Sequence, residues 1–584
     1  MDAPDSIAPE IRWIEPYVVG EKRRLLAGAS LVAATNALQL SIPWLTKRAI
    51  DSMTATRFEP ARLAALAVAG VAIAQAVVRV FSRLALLDAG RHMEHRIRGD
   101  LFGHLTELSP GFYARAGVGD VMSRCVNDLG QLRLLAGPGL LTSVNAVAAY
   151  AVALPAMLSL DARLTLIALV PYVPLLWLVR GQAQQIYRRM RGVQDQLGLL
   201  SSRVQESLAG QATLKAYGRE REELSSFRGR NEAHYRANVE LARTRATLQL
   251  LFGALAGLGA LAVLVAGGLE VIAGKLTLGG YAAFTGYLAE LASRTSMLGW
   301  ILAAWQRGRA ALARVREIAS ETPDIVDPDP RGGFELHGAL ELRELTVRAG
   351  ERALLDRVSL RVAPGETVAV VGRTGAGKST LLAAVARLWD VPRGQVVVDG
   401  KDLVDLPLRA YRRQLGFVPQ EPYLFSATLA ENIALGRPGA PMEAVRAAAE
   451  QARLTGDLAN LPEGFDTEVG ERGVTLSGGQ RARTAVARAL LVDPKLLLLD
   501  DPFANVDADT AAALWRELRG ALSGRSCLLA THRLSVAKEC DRIAVLERGA
   551  LIEEGSHAEL LARGGTYARL WERERIWDDL WASA

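Results

Sequence analysis

Six long apolar stretches crowd into the first half of this 584-residue chain, and they constrain its fold more than any other feature. Leu25 to Thr46, Leu63 to Val78, Leu140 to Leu160, Leu164 to Val179 and Ala246 to Leu269 carry no charge; a sixth, from Leu276, is broken by Glu290 and Arg294. At about 1.5 Å rise per residue, runs of roughly 16 to 24 residues approach or reach the roughly 30 Å hydrocarbon thickness, with flanking or snorkelling residues completing the shorter ones. The pattern predicts six membrane helices. Buried helices of a soluble protein are the alternative, and the recurrence of six such stretches in one half argues against it. The chain is 50% hydrophobic and 6% aromatic, which excludes disorder and collagen-like structure. Its 69 Lys+Arg against 63 Asp+Glu leave a net charge of +6, small for this length, so no nucleic-acid partner is expected. Cys125, Cys527 and Cys540 share no close metal-ligand spacing, which supports neither a disulfide framework nor a zinc site.

Met1 to Gly20 has acids and no basic n-region, so it reads as an interfacial segment anchored by Trp13 and Tyr17 rather than as a cleaved signal peptide. The Arg-rich excursions Leu87 to Pro138 and Arg180 to Arg245 belong in the cytoplasm by the positive-inside tendency. Lys47, Arg48, Arg57 and Arg62 in the first external loop oppose that assignment, and an even number of spans with both termini inside resolves it. After about Arg314 the pattern switches to short strands between Gly and Pro: Leu340 to Val347, Val358 to Val362 and Glu366 to Val371. The expected fold class is a multi-domain membrane protein. An interfacial segment (1–20) precedes an all-α six-helix transmembrane domain (21–315), a linker (316–334) and an α/β P-loop domain (335–584).

Thr367 to Val371 is a largely β-branched strand that runs into Gly372, Arg373, Thr374, Gly375, Ala376, Gly377, Lys378, Ser379 and Thr380, followed by the helical run Leu381 to Leu388. This is GxxxxGK[ST] between a strand and a helix, the context the motif requires. The glycines turn backbone N–H groups inward around phosphates, the helix N-terminus favours negative charge, Lys378 reaches the terminal phosphates, and Ser379 offers a hydroxyl to Mg²⁺. Leu496 to Leu499 is a buried strand ending in Asp500 and Asp501. Asp500 is placed to hold Mg²⁺ through water and Asp501 to lie nearest the attacking water; two acids capping a turn is the plainer reading.

Leu476, Ser477, Gly478, Gly479 and Gln480 lead into a helical run, Arg481 to Leu491. An SGG turn at a helix start means little alone. Between a P-loop and an acid-ended strand it resembles the signature of the ABC ATPases, and with six apolar spans upstream nearly the whole chain resembles an ABC transporter half-molecule of the exporter type. That resemblance implies ATP and Mg²⁺ as cofactors, with Gln420 in the Q-loop as a catalytic and metal-side residue, Asp507 in the D-loop Ala504 to Asp507, and His532 as the switch histidine. Thr467 to Gly473 is similar to the exporter X-loop. It also implies a second half-transporter as partner, each ATP being held between one P-loop and the other subunit's Ser477, Gly478, Gly479 and Gln480. The implied place is the inner, or plasma, membrane, with the nucleotide-binding domain in the cytoplasm.

Two departures from the family pattern narrow the expectation. Asp501 stands where the family carries Glu; being one methylene shorter, its carboxylate falls about 1 to 1.5 Å short, and a misplacement of that order can cost about 10²-fold in rate. The adenine-stacking aromatic is replaced near Ala349, and no Phe, Tyr or Trp occurs from Glu335 to Leu388, which leaves Arg348 or Arg352 to supply a guanidinium face. Both departures fall on the P-loop side while the signature is intact. The resemblance therefore favours the slow-site subunit of a heterodimeric exporter whose partner carries the catalytic Glu; a homodimer with two slow sites stays open, as does an ATP-gated channel or regulator.

Phe112 to Asp120 and Glu206 to Tyr217 resemble exporter coupling helices, expected to dock near Gln420 and Tyr423 to Phe425. Glu290 and Arg294 stand four residues apart in the sixth span, where a mutual ion pair and a substrate role weigh equally. Asn36, Gln39 and Asn145 serve either cavity or packing. Trp571, Trp577 and Trp581 are expected to dock a C-terminal helix. The solute implied is amphipathic or apolar, a drug, lipid or peptide.

Overall fold

The computed structural model describes residues 9–582 apart from 459–460, 471–472, 474–475, 503–510, 512–514, 517 and 521, with backbone alone at 9–11, 172–184, 252, 256 and 577–582. It divides into two compact units, one within residues 1–103 and 119–320, the other within 104–118 and 321–584.

The first unit is built of helices. Pro9–Gly20 is a separate short helix, and the Tyr17 hydroxyl donates to Asp100 Oδ2 at 3.0 Å. Among the described residues four helices are long and apolar enough to cross a membrane: Lys22–Thr54, Phe58–Glu107, Val118–Leu160 and Glu220–Ile272. The other two expected spans depart from that standard for physical reasons. Pro171, which has no N–H to donate, separates Ala162–Leu169 from Tyr172–Ala209. In Leu278–Ala319, charged residues interrupt the apolar run. Asp161 starts one of these helices by accepting from Leu164 N at 2.8 Å, and Thr277 starts another by accepting from Gly280 N at 2.9 Å. Between Arg124 and Asp128, and again between Leu135 and Gly139, the third long helix widens into π turns; Pro138 in the second accounts for that distortion. Leu40, Met157, Leu164, Val263, Phe284 and Leu291 join five of the segments in one buried cluster.

The second unit carries the strands β1 (Leu340–Ala349), β2 (Arg352–Val362), β3 (Thr367–Val371), β4 (Val396–Val398), β5 (Lys401–Asp402), β6 (Leu415–Val418), β7 (Ala427–Thr428), β8 (Glu468–Val469), β9 (Leu496–Asp500), β10 (Ser526–Thr531), β11 (Arg542–Glu547) and β12 (Ala550–Gly555). One sheet has the order β12-β11-β3-β10-β9-β6, parallel except for β12, and an antiparallel sheet has the order β2-β1-β4-β5. β3 is buried on both faces, as a central parallel strand must be. Ala369 and Val371 enter one hydrophobic core, Val368 and Val370 the other. The segment joining the long helices to β1 is tied down by Asp327, whose carboxylate oxygens accept from Leu408 N and Arg409 N, both at 3.0 Å.

In the first expected coupling segment, Pro110–Ala116 is a short helix that buries Phe112; its Tyr113 hydroxyl donates to Leu105 O at 2.6 Å and it ends at Gly117 with φ 74°. The second contains the helix Gln211–Ala216, which buries no side chain and leaves Tyr217 exposed.

Candidate functional site

Strand register assembles the site. Val371 of β3 pairs with Thr531 of β10, Ala530 of β10 with Asp500 of β9, and Leu499 of β9 with Val418 of β6. The residues that follow each strand therefore emerge at one edge of the sheet: Gly372 after β3, His532 after β10, Asp501 after β9, Gln420 two residues after β6. This carboxyl edge of a parallel sheet is where ligands of such folds bind.

The P-loop spans Gly372 to Gly377 and opens the helix Lys378–Val385. Two of its glycines are forced by space. A Cβ on Gly372 would stand 2.2 Å from Leu546 O, and Gly377 has φ 104° with a would-be Cβ 2.9 Å from Leu354 O. Lys378 Nζ donates to Gly372 O at 2.8 Å and to Arg373 O at 3.2 Å, so its ammonium lies against the loop it serves. Burial pushes that ammonium below its ordinary pKa, with Asp501 and Asp500 opposing the shift. Asp500 is 6% exposed; burial raises its carboxyl pKa and Asp501 adds to that, while a hydrogen bond from Ser379 and the charge of Lys378 pull it down. A buried carboxylate bonded to a serine hydroxyl, beside a lysine and a glycine cradle, suits a divalent cation with phosphate oxygens. Ser379 and Asp500 would hold Mg²⁺, with exposed Gln420 at the adjacent strand end.

Asp501 sits differently from its neighbour. Its backbone is left-handed, φ 46°, and its N–H donates to Ala530 O at 2.8 Å. The side chain turns to β10: Oδ1 accepts from Thr531 Oγ1 at 3.3 Å, and Oδ2 is hydrogen-bonded to His532 Nδ1. Asp501, expected nearest the attacking water, and His532, expected as the switch histidine, are thus bonded to each other. Sequence reasoning missed Thr531 as the second holder of Asp501; the strand register that places it there is a tertiary fact.

Ser477 caps the helix Gly478–Leu491 through a capping box, its Oγ accepting from Gln480 N at 3.2 Å and Gln480 Oε1 accepting from Ser477 N at 2.8 Å. This box corrects the expectation that the helix opens at Arg481. Gly478 and Gly479 form its first turn, where their N–H groups lack intrahelical acceptors and favour an anion. The helix packs Ala485, Val486, Ala489 and Leu490 into the core that takes Ala369 and Val371, whereas the P-loop helix packs Leu381, Leu382 and Val385 into the opposite core. Signature and P-loop helices therefore lie on opposite faces of one sheet.

Asp507 and the rest of the D-loop lie outside the described residues, as do Glu471 and Arg472 of the X-loop. Near Ala349, the β1–β2 hairpin presents Arg348 and Arg352 on its exposed tip, and Arg348 Nη2 donates to Glu351 O at 3.2 Å. Tyr423 and Phe425 stand half exposed with ring centroids 5.2 Å apart. Their loop is held from below by buried Asn432, which accepts from Phe425 N at 2.8 Å, and by Arg488, which donates to Tyr423 O at 3.0 Å. The C-terminal helix Thr566–Ala582 is docked by Trp571 against His557, centroids 4.7 Å apart. The side chains of Trp577 and Trp581 lie outside the description. The same helix supplies a group the sequence did not reveal. Glu574 accepts from Leu534 N through both carboxylate oxygens, each at 3.0 Å, and so fixes the turn directly after His532.

A family model for the ABC transporter transmembrane region matches residues 25–294, and a second, described as ABC transporter, matches residues 355–504. Over 573 residues the chain is 32% identical to the multidrug resistance-like ATP-binding protein MdlA of Escherichia coli (strain K12), covering 97% of this chain and 96% of that protein. It is 34% identical over 560 residues to a multidrug efflux ATP-binding/permease protein of Mycobacterium bovis (strain BCG / Pasteur 1173P2), covering 95% of this chain and 46% of that one. Among solved structures, a bacterial Atm1-family ABC exporter with ATP bound matches with TM-score 0.78 and 28% identity, over 95% of this chain and 98% of that one.

Proposed function

The chain belongs to the ABC transporters as a half-molecule of the exporter type, and on that footing we propose that it exports an amphipathic or apolar solute as the subunit with the slower ATP site. Its ATPase domain hydrolyses ATP, and hydrolysis is coupled to transport across a membrane. In the proposal, Gly372 to Thr380 cradle the phosphates, Ser379, Asp500 and Gln420 hold Mg²⁺, and His532 orients the γ-phosphate side of the site. Mg²⁺, when bound, neutralises charge on the transferring phosphoryl group. Ser477, Gly478, Gly479 and Gln480 close over the nucleotide of a second subunit, with Asp507 at the junction. The setting is the inner membrane, with the ATPase domain in the cytoplasm.

The observation that carries the slow-site reading is the pairing of Asp501 with His532 and Thr531. A carboxylate one methylene shorter than glutamate, and drawn toward β10, stands back from the water it would orient. Support for a two-chain site comes from the opposite-face placement of the two helices and from the match to 46% of the mycobacterial relative's length, which leaves room there for two such units. The partner best suited to this chain carries Glu at the position of Asp501 and uses this chain's intact signature.

The test is ATP turnover by the purified full chain, alone and with a half-transporter that co-purifies from its own host. Slow turnover alone, rising in the mixed complex and lost there on Ser477→Arg, is the expected outcome. Fast turnover by the chain alone, abolished by Asp501→Asn, would exclude the slow-site reading.

A further inference from the structure

Inside the membrane unit, a polar cluster joins the first, second and sixth spans. Gln39 Oε1 accepts from Arg79 Nη2 at 2.7 Å and also from Gln75 Nε2, while Gln39 Nε2 donates to Glu290 Oε2 at 3.3 Å. Arg294 Nε donates to Glu290 Oε1 at 2.8 Å, and Arg294 Nη2 reaches the same oxygen. At about 1.5 Å per residue these groups lie well inside the bilayer. Gln39 is about 22 Å from the helix end at Thr54, Arg79 about 24 Å from Leu63, where the uncharged stretch of its helix begins, with its guanidinium reaching Gln39, and Glu290 about 18 Å from Leu278.

The charges do not balance. In this cluster two arginines, Arg79 and Arg294, meet one acid, Glu290. Arg294 occupies one of its oxygens and the Gln39 amide the other, so Glu290 is spent on Arg294. Arg79 meets the neutral carbonyl of Gln39, and its other donors have no protein partner among the described residues. A half-buried guanidinium at hydrocarbon depth without a counter-ion is costly, and such a group marks a binding or conduction site by default. Buried Gln75, itself 6% exposed, fills the second lone pair of Gln39 and fixes the amide so that its oxygen faces Arg79.

We infer that this cluster receives the acidic head of an amphiphile, a carboxylate, sulfonate or phosphate on an apolar body, with Arg79 as its counter-ion and Gln39 as the amide that aims the guanidinium. The inference rests on the exporter reading for the fate of the bound molecule and on the helix geometry for its charge. A free acid and the headgroup of an anionic lipid present the same chemistry.

The experiment uses the full chain in lipid nanodiscs and three probes with one apolar body: pyrenebutyric acid, pyrenebutanol and pyrenebutyl-trimethylammonium. Binding is read as energy transfer from tryptophan to pyrene, relative to empty nanodiscs. The acid should bind about 10- to 100-fold more tightly than the alcohol, the range of a hydrogen bond to a charged group. Arg79→Gln should erase that preference, Arg79→Lys keep most of it, and Glu290→Gln, which releases Arg294, increase it. Replacing zwitterionic lipid by phosphatidylglycerol separates the sources: a weaker apparent affinity for the acid means that anionic lipid competes for the cluster, an unchanged affinity that a free acid is the occupant. Equal binding of the three probes, preference for the ammonium, no binding of the acid, or a preference that survives Arg79→Gln would each overturn the inference. The exporter reading fails separately, when inverted vesicles show no ATP-dependent uptake of any probe while the acid still binds.

Discussion

Replacing Asp501 by Glu restores the missing methylene, and the structure sets the size of the gain. The added carbon carries the carboxylate about 1 to 1.5 Å farther from the left-handed backbone at φ 46°, a displacement of the order that can change rate about 10²-fold. That factor corresponds to about 2.7 kcal/mol of barrier. Against it stands the 3.3 Å bond from Thr531 Oγ1 to Oδ1, which a longer side chain gives up at about 1 kcal/mol. The difference of about 1.7 kcal/mol predicts a rise in kcat of somewhat more than tenfold. The KM for ATP should stay within about twofold, because the acid acts on the water rather than on the bound phosphates. The assay is steady-state phosphate release by the full chain in nanodiscs, alone and with its partner, with Asp501→Asn as the zero. An Asp501→Glu variant no faster than its parent would refute the argument that side-chain reach limits this site.

Three other changes follow from the same geometry. Gly377→Ala places a Cβ 2.9 Å from Leu354 O in a backbone at φ 104°, so ATP affinity should fall at least tenfold by equilibrium binding, with the helical unit's circular dichroism unchanged. Glu574→Ala removes the carboxylate that accepts from Leu534 N and should lower kcat by about three- to tenfold with little change in KM; Glu574→Gln, which keeps an acceptor, should recover most of it. His557 is held below its ordinary pKa of 6.5 by burial first and by Lys538 second. Its folded form therefore resists the proton that the unfolded chain accepts, so the stability tied to neutral His557 is complete above pH 6.5 and is lost as pH falls below it. Thermal unfolding of the parent should drop more steeply between pH 7.5 and 5.5 than that of His557→Gln, and parallel curves would remove His557 as the cause.

The sequence by itself determined the architecture, because both of its signals are local. An uncharged run either is or is not long enough for the hydrocarbon layer, and a glycine-rich loop between a β-branched strand and a helix has one backbone solution. Gly372 to Ser379 and Asp500 were legible for that reason, as was the ion pair of Glu290 with Arg294, four residues apart on one helix. What required the tertiary structure involves partners distant in the chain. The hold of Thr531 and His532 on Asp501 exists because β10 lies parallel to β9 in one register. Glu574 reaches the turn after His532 because a C-terminal helix docks there, 40 residues downstream. Arg79 could be read as an unbalanced charge once Gln39, 40 residues before it, was seen to aim it and Glu290 to be taken by another arginine. Hydrogen bonds and charge balance are decided by distances of about 3 Å, and chain spacing fixes such distances within a helix turn but not between segments that only folding brings together.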